Sequence, residues 1–266
     1  MNMKGRVLVV AGSDSGGGAG IQADIKTITV LGGYAATAVT ALTAQNTEGV
    51  LAIQDLPADF VAQQMTLVLD DIGADVIKTG MLHRAELIQC VVEVSRRYLA
   101  KMDLLVDPVM YAKGGAPLLE ESAVRALVSE LVPMADLITP NLPEAGKILG
   151  SEVQTIDDMH MAVTDLLALG PKAVLLKGGH LAGNQIIDLL ATETGVEAFN
   201  SARVMTRHTH GTGCTLASAI AVGIAQGLSV RSAVVRAREY VIGAIRTAPG
   251  YGTGHGPINH AYHLPF

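Results

Sequence analysis

The segment Arg6–Thr27, RVLVVAGSDSGGGAGIQADIKT, reads as strand, glycine-rich turn and helix in direct succession. Val7 to Ala11 are apolar without polar alternation, the pattern of a strand covered on both faces. The pattern recurs in YAATAVTALTAQ (34–45), DVIKTG (75–80), DLLVDPV (103–109), DLITPN (136–141) and KAVLLKGG (172–179). Helical patterns lie between them, over Gly20–Leu31, Ala58–Asp70, Ala85–Leu99, Glu121–Leu131 and Ile156–Ala168, with two more near 212–227 and 230–247. Strands alternating with helices predict an α/β domain on a mostly parallel sheet. From Asp188, DLLATETGVEAFNSARV reads as a hairpin turning at TETG. No repeat, linker or low-complexity stretch divides residues 1–266, so one domain is expected.

Composition narrows the classes. The 266 residues are 49% hydrophobic and 17% charged, enough for a substantial core. A net charge of −6 without basic clusters argues against a nucleic-acid partner. Two cysteines, Cys90 and Cys214, make no disulfide framework and fit a reducing cytoplasm. The stretch MNMKGRVLVVAGS reads as a first strand, not a signal peptide, and no apolar run reaches the length of a membrane span.

In open parallel sheets, ligands bind beyond the carboxyl ends of the strands. Asp14, Gln45, Lys78, Asp107, Asn141 and Lys177 each end or follow a predicted strand, which points to one shared site. Gly16, Gly17, Gly18 and Gly20 suit a loop whose backbone must approach something closely, and a ligand is the expected neighbour. Neither the dinucleotide spacing nor a P-loop is present. Asp24, placed in the first turn of the next helix, is either a dipole-favoured acid or a substrate contact. Gln45 offers a donor and an acceptor that could read an aminopyrimidine-like edge, although the residues alone favour a surface amide beside Asn46. Met81 and Met110 read as core, and Lys78 reads as a lysine snorkelling from a strand end.

Asp107 and the NLPE stretch carrying Asn141 and Glu144 supply hard oxygen ligands suited to Mg²⁺ beside nucleotide phosphates. Glu144 is equally explained as a first-turn helix acid. Lys177 brings a cation to the same edge. In THGTGCTL (209–216), Gly211 and Gly213 precede an apolar helix, so the backbone there forms an anion cradle. Cys214 at that helix start is expected to have a lowered thiol pKa. His208 and His210 flank the cradle, but their spacing and that of the tail histidines (His255, His260, His263) argues against zinc. The tail is expected to pack over the last helix. One or two carboxylates, a lysine and an anion cradle are the parts of phosphoryl transfer.

The ordered set AGSDSGGGAGIQADIKT, TALTAQNT, IKTGML, DPVM, ITPNLPEA, LLKGGH, THGTGC and HGPINH spans the chain and resembles the hydroxymethylpyrimidine/phosphomethylpyrimidine kinase family of thiamin biosynthesis, within the ribokinase-like superfamily. The resemblance implies a three-layer α/β/α fold and ATP- and Mg²⁺-dependent phosphorylation of 4-amino-5-hydroxymethyl-2-methylpyrimidine, then of its monophosphate. It also implies a homodimer. It would put the pyrimidine between Gly12, Ala19 and Asp24 of the first loop and Gln45, with Met81 and Val109 near the ring. Asp107, Asn141, Glu144 and Lys177 would face the nucleotide phosphates and metal, with Asp107 and Glu144 as metal ligands. Gly211, Thr212, Gly213 and Cys214 would form the anion hole. Related sugar kinases carry Asp where Cys214 stands, which implies that the thiolate accepts the hydroxymethyl proton. Arg238 stands where the family pattern has lysine near the nucleotide, and the two are not interchangeable. A pyridoxal or pyridoxine kinase of the same superfamily is the nearest alternative, with Gln45 as discriminator. A dinucleotide oxidoreductase would need an acid closing the second strand, absent from YAATAVTALTAQ. A non-catalytic sensor would not need Lys177, Asp107 and Cys214 together.

Overall fold

The computed structural model describes residues 3–264; Met1, Asn2, Pro265 and Phe266, which belong to the stretches read above as first strand and tail, lie outside them. Nine strands form one sheet in the order β3-β2-β1-β4-β5-β6-β7-β8-β9. These are β1 (Arg6–Asp14), β2 (Tyr34–Gln45), β3 (Val50–Asp55), β4 (Val76–Thr79), β5 (Asp103–Val106), β6 (Leu137–Ile138), β7 (Ala173–Leu176), β8 (Gln185–Thr192) and β9 (Gly195–Ala202). From β2 through β7 the pairings are parallel. The edges β2–β3 and β7–β8–β9 are antiparallel. The helices are α1 (Gly20–Val30), α2 (Ala58–Asp71), α3 (Ala85–Arg96), α4 (Glu121–Ala126), α5 (Leu142–Leu149), α6 (Ile156–Ala168), α7 (Thr212–Ala225) and α8 (Val230–Arg246).

Side-chain alternation along β1 builds three layers. Val7, Val9 and Ala11 pack with Ile28 of α1 and the apolar residues of α7 and α8, whereas Leu8 and Val10 pack with the helices α2 to α6. Both faces are therefore covered, which explains the unbroken apolar runs.

The runs predicted as strands are shorter in the structure. DLITPN is a regular strand only over Leu137–Ile138; beyond it pairing continues as single contacts, Thr139 N–H to the Val106 carbonyl and an isolated bridge of Asn141 with Lys177, as Asn141 becomes the N-cap of α5. β3 has no counterpart in the sequence reading: it is an edge strand whose apolar run, Val50–Ile53, is too short to stand out and is partly or fully exposed. The helix expected over Glu121–Leu131 is regular only to Ala126, then widens over Leu127–Leu131 and tightens over Val132–Met134, where Pro133 lacks the N–H that a regular helix needs. The hairpin turns at Thr192–Gly195 as predicted.

Strand order places β2 on one side of β1 and β4 on the other. A crevice forms at such a switch point, at the carboxyl ends of the strands.

Candidate active site

A cleft of about 830 Å³ opens at that switch point. It collects Gly12, Asp14, Ala19, Gln45, Lys78, Met81, Asp107, Val109, Asn141, Glu144, Lys177 and the whole Gly211–Cys214 turn. Of the residues predicted for the site, Asp24 and the loop glycines Gly16, Gly17 and Gly18 do not line it.

The glycine loop after β1 wraps around a side chain of its own. The Asp14 carboxylate accepts from the amides of Gly16 (2.8 Å), Gly18 (3.0 Å) and Ala19 (2.8 Å), and from His210 Nε2 at 2.8 Å. Burial alone pushes the Asp14 carboxyl up, but His210 and the Ala19 and Gly16 amides outweigh it and hold the group below the usual carboxylate range. The close approach expected of these glycines is real, but it is to protein. A Cβ on Gly18 would strike the His210 ring, and one on Gly20 the Gly12 carbonyl oxygen. A Cβ on Gly211 (φ 80°) would overlap the Gly18 carbonyl oxygen, so the first loop and the cradle pack backbone against backbone. The reading of Gly16, Gly17 and Gly18 as ligand contacts is corrected accordingly, whereas Gly20 lines the cleft.

Gln45, at the end of β2, accepts from Thr43 Oγ1 at 3.1 Å, and its Nε2 stands 3.4 Å from His210 Nε2. With Asp14 ionised, its oxygen only accepts, so His210 Nε2 carries the proton. That nitrogen cannot also accept, and the Gln45 amide N–H₂ is left for a ligand in the cleft. Met81 and Val109 form the apolar wall here, packed with Ala41 and Leu118. His210 escaped the sequence reading as a binding-site residue, having been weighed only as a metal ligand. Its place one residue before Gly211 was the available signal.

Two expectations fail beneath the cleft. Asp24 is the fifth residue of α1, fully buried, and touches Lys78 Nζ at 3.0 and 3.1 Å and Ser218 Oγ at 2.6 Å. It is neither a first-turn acid nor a cleft-facing substrate contact, because the apolar stripe of α1 turns it inward. Lys78 does not snorkel: it has no solvent exposure, because Asp24 neutralises it within the fold.

The far wall is polar. Asp107 is buried and accepts from Thr139 Oγ1 (2.9 Å) and Lys177 Nζ (3.1 Å). Burial would lower the Lys177 pKa, yet Asp107 and Glu144 together raise it, so it stays a cation. Asn141 caps α5: its side chain accepts from the Glu144 amide (2.9 Å), while Glu144 Oε2 accepts from the Asn141 amide (2.8 Å). Burial pushes the Glu144 carboxyl up to about 7, aided by Asp107 and opposed by Lys177. Gly213 borders Lys177, whose Nζ would lie 3.5 Å from a Cβ added there. Among the described residues, the Gly213 and Cys214 amides at the start of α7 donate to no protein acceptor. An unsatisfied helix N-terminus beside a lysine that opens only into the cleft is an anion site.

The Cys214 thiol is not lowered as its position predicted. Burial pushes it up to about 12, and Lys78 and the Gly20 amide offset only part of that. Arg238 is engaged as well. It pairs with Asp188, donates to Ser201 Oγ at 3.1 Å and lies over the Phe199 ring. Asp188 in turn accepts from the Gly178 amide at 2.9 Å, so Arg238 braces the loop that carries Lys177. The tail packs over α8 through Tyr262 and His260, as expected, but it also closes over the cleft rim. His255 N–H donates to the Thr47 carbonyl (2.8 Å), and the Gly256 carbonyl accepts from His210 N–H (3.1 Å).

No helix among the described residues is long and apolar enough to cross a membrane. No group of three His, Cys, Asp or Glu side chains among them could hold a metal alone. Two buried carboxylates facing an anion site do fit a Mg²⁺ that completes its coordination with phosphate and water oxygens.

Comparison with known proteins agrees with this geometry. A family model described as phosphomethylpyrimidine kinase matches residues 14–259. A hydroxymethylpyrimidine/phosphomethylpyrimidine kinase of Streptomyces coelicolor is 47% identical over 260 residues, 97% of this chain and 95% of that protein. The thiamine biosynthesis bifunctional protein ThiED of Geobacter sulfurreducens is 50% identical over 257 residues; these cover 97% of this chain and 52% of that protein, so the chain spans about half its length. The structure of Staphylococcus aureus pyridoxal kinase in complex with AMP-PCP and pyridoxal matches with a TM-score of 0.90 at 33% identity, over 98% of this chain and 95% of that one. With the match running from Asp14 in the first loop to Asn259 in the tail, the chain belongs to the phosphomethylpyrimidine kinase family and has the ribokinase-like α/β/α fold.

Proposed function

We propose that this chain is an ATP-dependent kinase that phosphorylates 4-amino-5-hydroxymethyl-2-methylpyrimidine and then its monophosphate, giving the diphosphate used in thiamin biosynthesis. One observation carries the reading: a single cleft joins an amide donor at Gln45, free of protein acceptors, to an unsatisfied helix N-terminus beside Lys177. The pyrimidine lies against Met81 and Val109, with Gly12 and Ala19 beneath it and the Gln45 amide on its nitrogen edge. The γ-phosphoryl group meets the Gly211–Cys214 amides, which stabilise charge developing on its oxygens. Lys177 balances the phosphate charge, and Asn141 orients the loop that presents Glu144. Mg²⁺, held by Asp107 and Glu144, would neutralise phosphate charge when bound. Cys214 accepts the hydroxymethyl proton in the first step, and its raised thiol pKa makes that proton transfer dependent on the charges around it. One continuous nine-stranded sheet supports a single kinase domain. Two free cysteines suit a cytoplasmic protein. Leu42 and Leu51, exposed on the β2–β3 edge, suit the pairing of two copies as a homodimer.

Coupled-assay ADP release with the pyrimidine alcohol, its monophosphate and pyridoxal tests the assignment. The expected order of kcat/KM puts both pyrimidines above pyridoxal; a preference for pyridoxal would replace this reading with pyridoxal kinase, which the 33% identical structural neighbour keeps as the alternative. Gln45→Ala removes one neutral hydrogen bond to the ring, so KM for the pyrimidine should rise about tenfold with ATP KM unchanged. Michaelis–Menten titration of each substrate checks this, and an unaltered pyrimidine KM would take Gln45 out of the site.

A further inference from the structure

Lys78 and Asp24 form an ion pair with no solvent exposure on either side chain, an arrangement that stability alone does not call for. The pair ties three elements together. Asp24 comes from α1, Lys78 from β4, and Ser218, which donates to Asp24 Oδ1 at 2.6 Å, from α7 one helical turn beyond Cys214. Two of the Lys78 N–H groups are taken by the two Asp24 oxygens. The third has no protein acceptor among the described residues, and Lys78 lines the cleft floor together with Cys214.

We propose that Lys78 is a positioning residue for the phosphoryl transfer: its buried ammonium, fixed by Asp24 beneath the first turn of α7, stabilises the Cys214 sulfur as an anion. The proposal rests on the reading of Cys214 as proton acceptor. In the step it serves, the bound alcohol passes its proton to the sulfur, its oxygen bonds to the γ-phosphorus, and the bond from that phosphorus to the β-bridging oxygen breaks to release ADP. The sulfur reaches its anionic form beforehand by losing its proton to water. The groups facing it are Lys78, Asp24, Asp107 and Lys177, with the Gly20 amide. Lys78 favours the anion, while Asp24 and Asp107 oppose it. Lys78 itself is held above the usual lysine range by Asp24 despite its burial, so it keeps its charge.

The test reads the sulfur directly. In a Cys90→Ala background, which removes the other free thiol, Cys214 alkylation by iodoacetamide is followed by mass spectrometry at pH 9. Lys78→Met should slow alkylation about fourfold, since losing a nearby charge lowers the thiolate fraction about tenfold and the more basic thiolate regains part of that. Asp24→Asn should speed it, and Lys78→Arg should restore the parent rate to within about twofold. Opposite signs for the two charges are the signature, because mere loosening of the core would move both variants the same way. Unchanged alkylation in Lys78→Met, or shifts of one sign in both variants, would overturn the proposal. If Lys78→Met does not accumulate in folded form, the charge-neutral K78M/D24N is compared with D24N: slower alkylation supports the proposal and an equal rate overturns it. Failure of the proton-acceptor reading is recorded separately, as full first-step turnover in Cys214→Ser.

Discussion

Gly211→Ala is expected to remove most of the catalytic activity and much of the stability, although it adds a single methyl group. Gly211 holds φ at 80°, a region costing an alanine about 1–2 kcal/mol. The added Cβ would also overlap the Gly18 carbonyl oxygen, which belongs to a loop pinned by three amide bonds to Asp14. Neither side can yield cheaply, so the overlap separates the two loops. A destabilisation of about 4 kcal/mol lowers Tm by roughly 10 °C in a chain of this size. The separation also moves the Gly213 and Cys214 amides off the phosphoryl group, where losing one such donor costs on the order of 10² to 10³ in kcat. Gly213→Ala is the control. Its φ is not in the left-handed region, and its Cβ would meet Lys177 Nζ at 3.5 Å, an ordinary contact. Thermal melts and kcat/KM for both variants check the pair; equal Tm values would mean that the loops do not bear on each other as described.

What could be read from the chain, and what could not, follows from the range of the forces involved. Asp107, Asn141 and Lys177 were legible because a parallel sheet delivers all its strand ends to one edge, so local strand recognition suffices to bring them together. Asp24 was misplaced because its partner, Lys78, lies 54 residues away, and α1 carries no local signal that its fifth residue turns inward to meet a charge. The glycines announced close approach, but a missing Cβ does not say whether the neighbour is a phosphate or the Gly18 carbonyl. Arg238 could not be assigned because Asp188 and Phe199 come from a hairpin that must first fold against α8. For Cys214 the sequence reading weighed the wrong term. A helix N-terminus contributes about 0.3–1 kcal/mol in favour of an anion, whereas desolvation of the half-buried thiol outweighs it and pushes the group up to about 12.

That competition makes Cys214→Ser the most informative substitution for the chemistry. The first acceptor is an alcohol that must lose its proton, while the second is a phosphate already ionised at neutral pH. A base at Cys214 therefore matters only to the first step, and the loss in kcat should be about 10²- to 10³-fold there against less than about tenfold in the second. The parent enzyme should carry a matching pH signature. Its thiol is pushed up to about 12 by burial, above the ordinary cysteine value, so the reactive anionic fraction grows with every unit of pH across the assay range. First-step kcat/KM should accordingly keep rising above pH 9 with no plateau near 8.5, while the second step stays flat over the same interval. In Cys214→Ser that rise should disappear. Single-turnover and steady-state rates from pH 7 to 10, measured with each acceptor, decide the matter. Equal losses in both steps would leave Cys214 as part of the anion hole alone, with the Gly213 amide and Lys177 supplying the rate and the alcohol shedding its proton to the departing phosphoryl oxygen or to solvent.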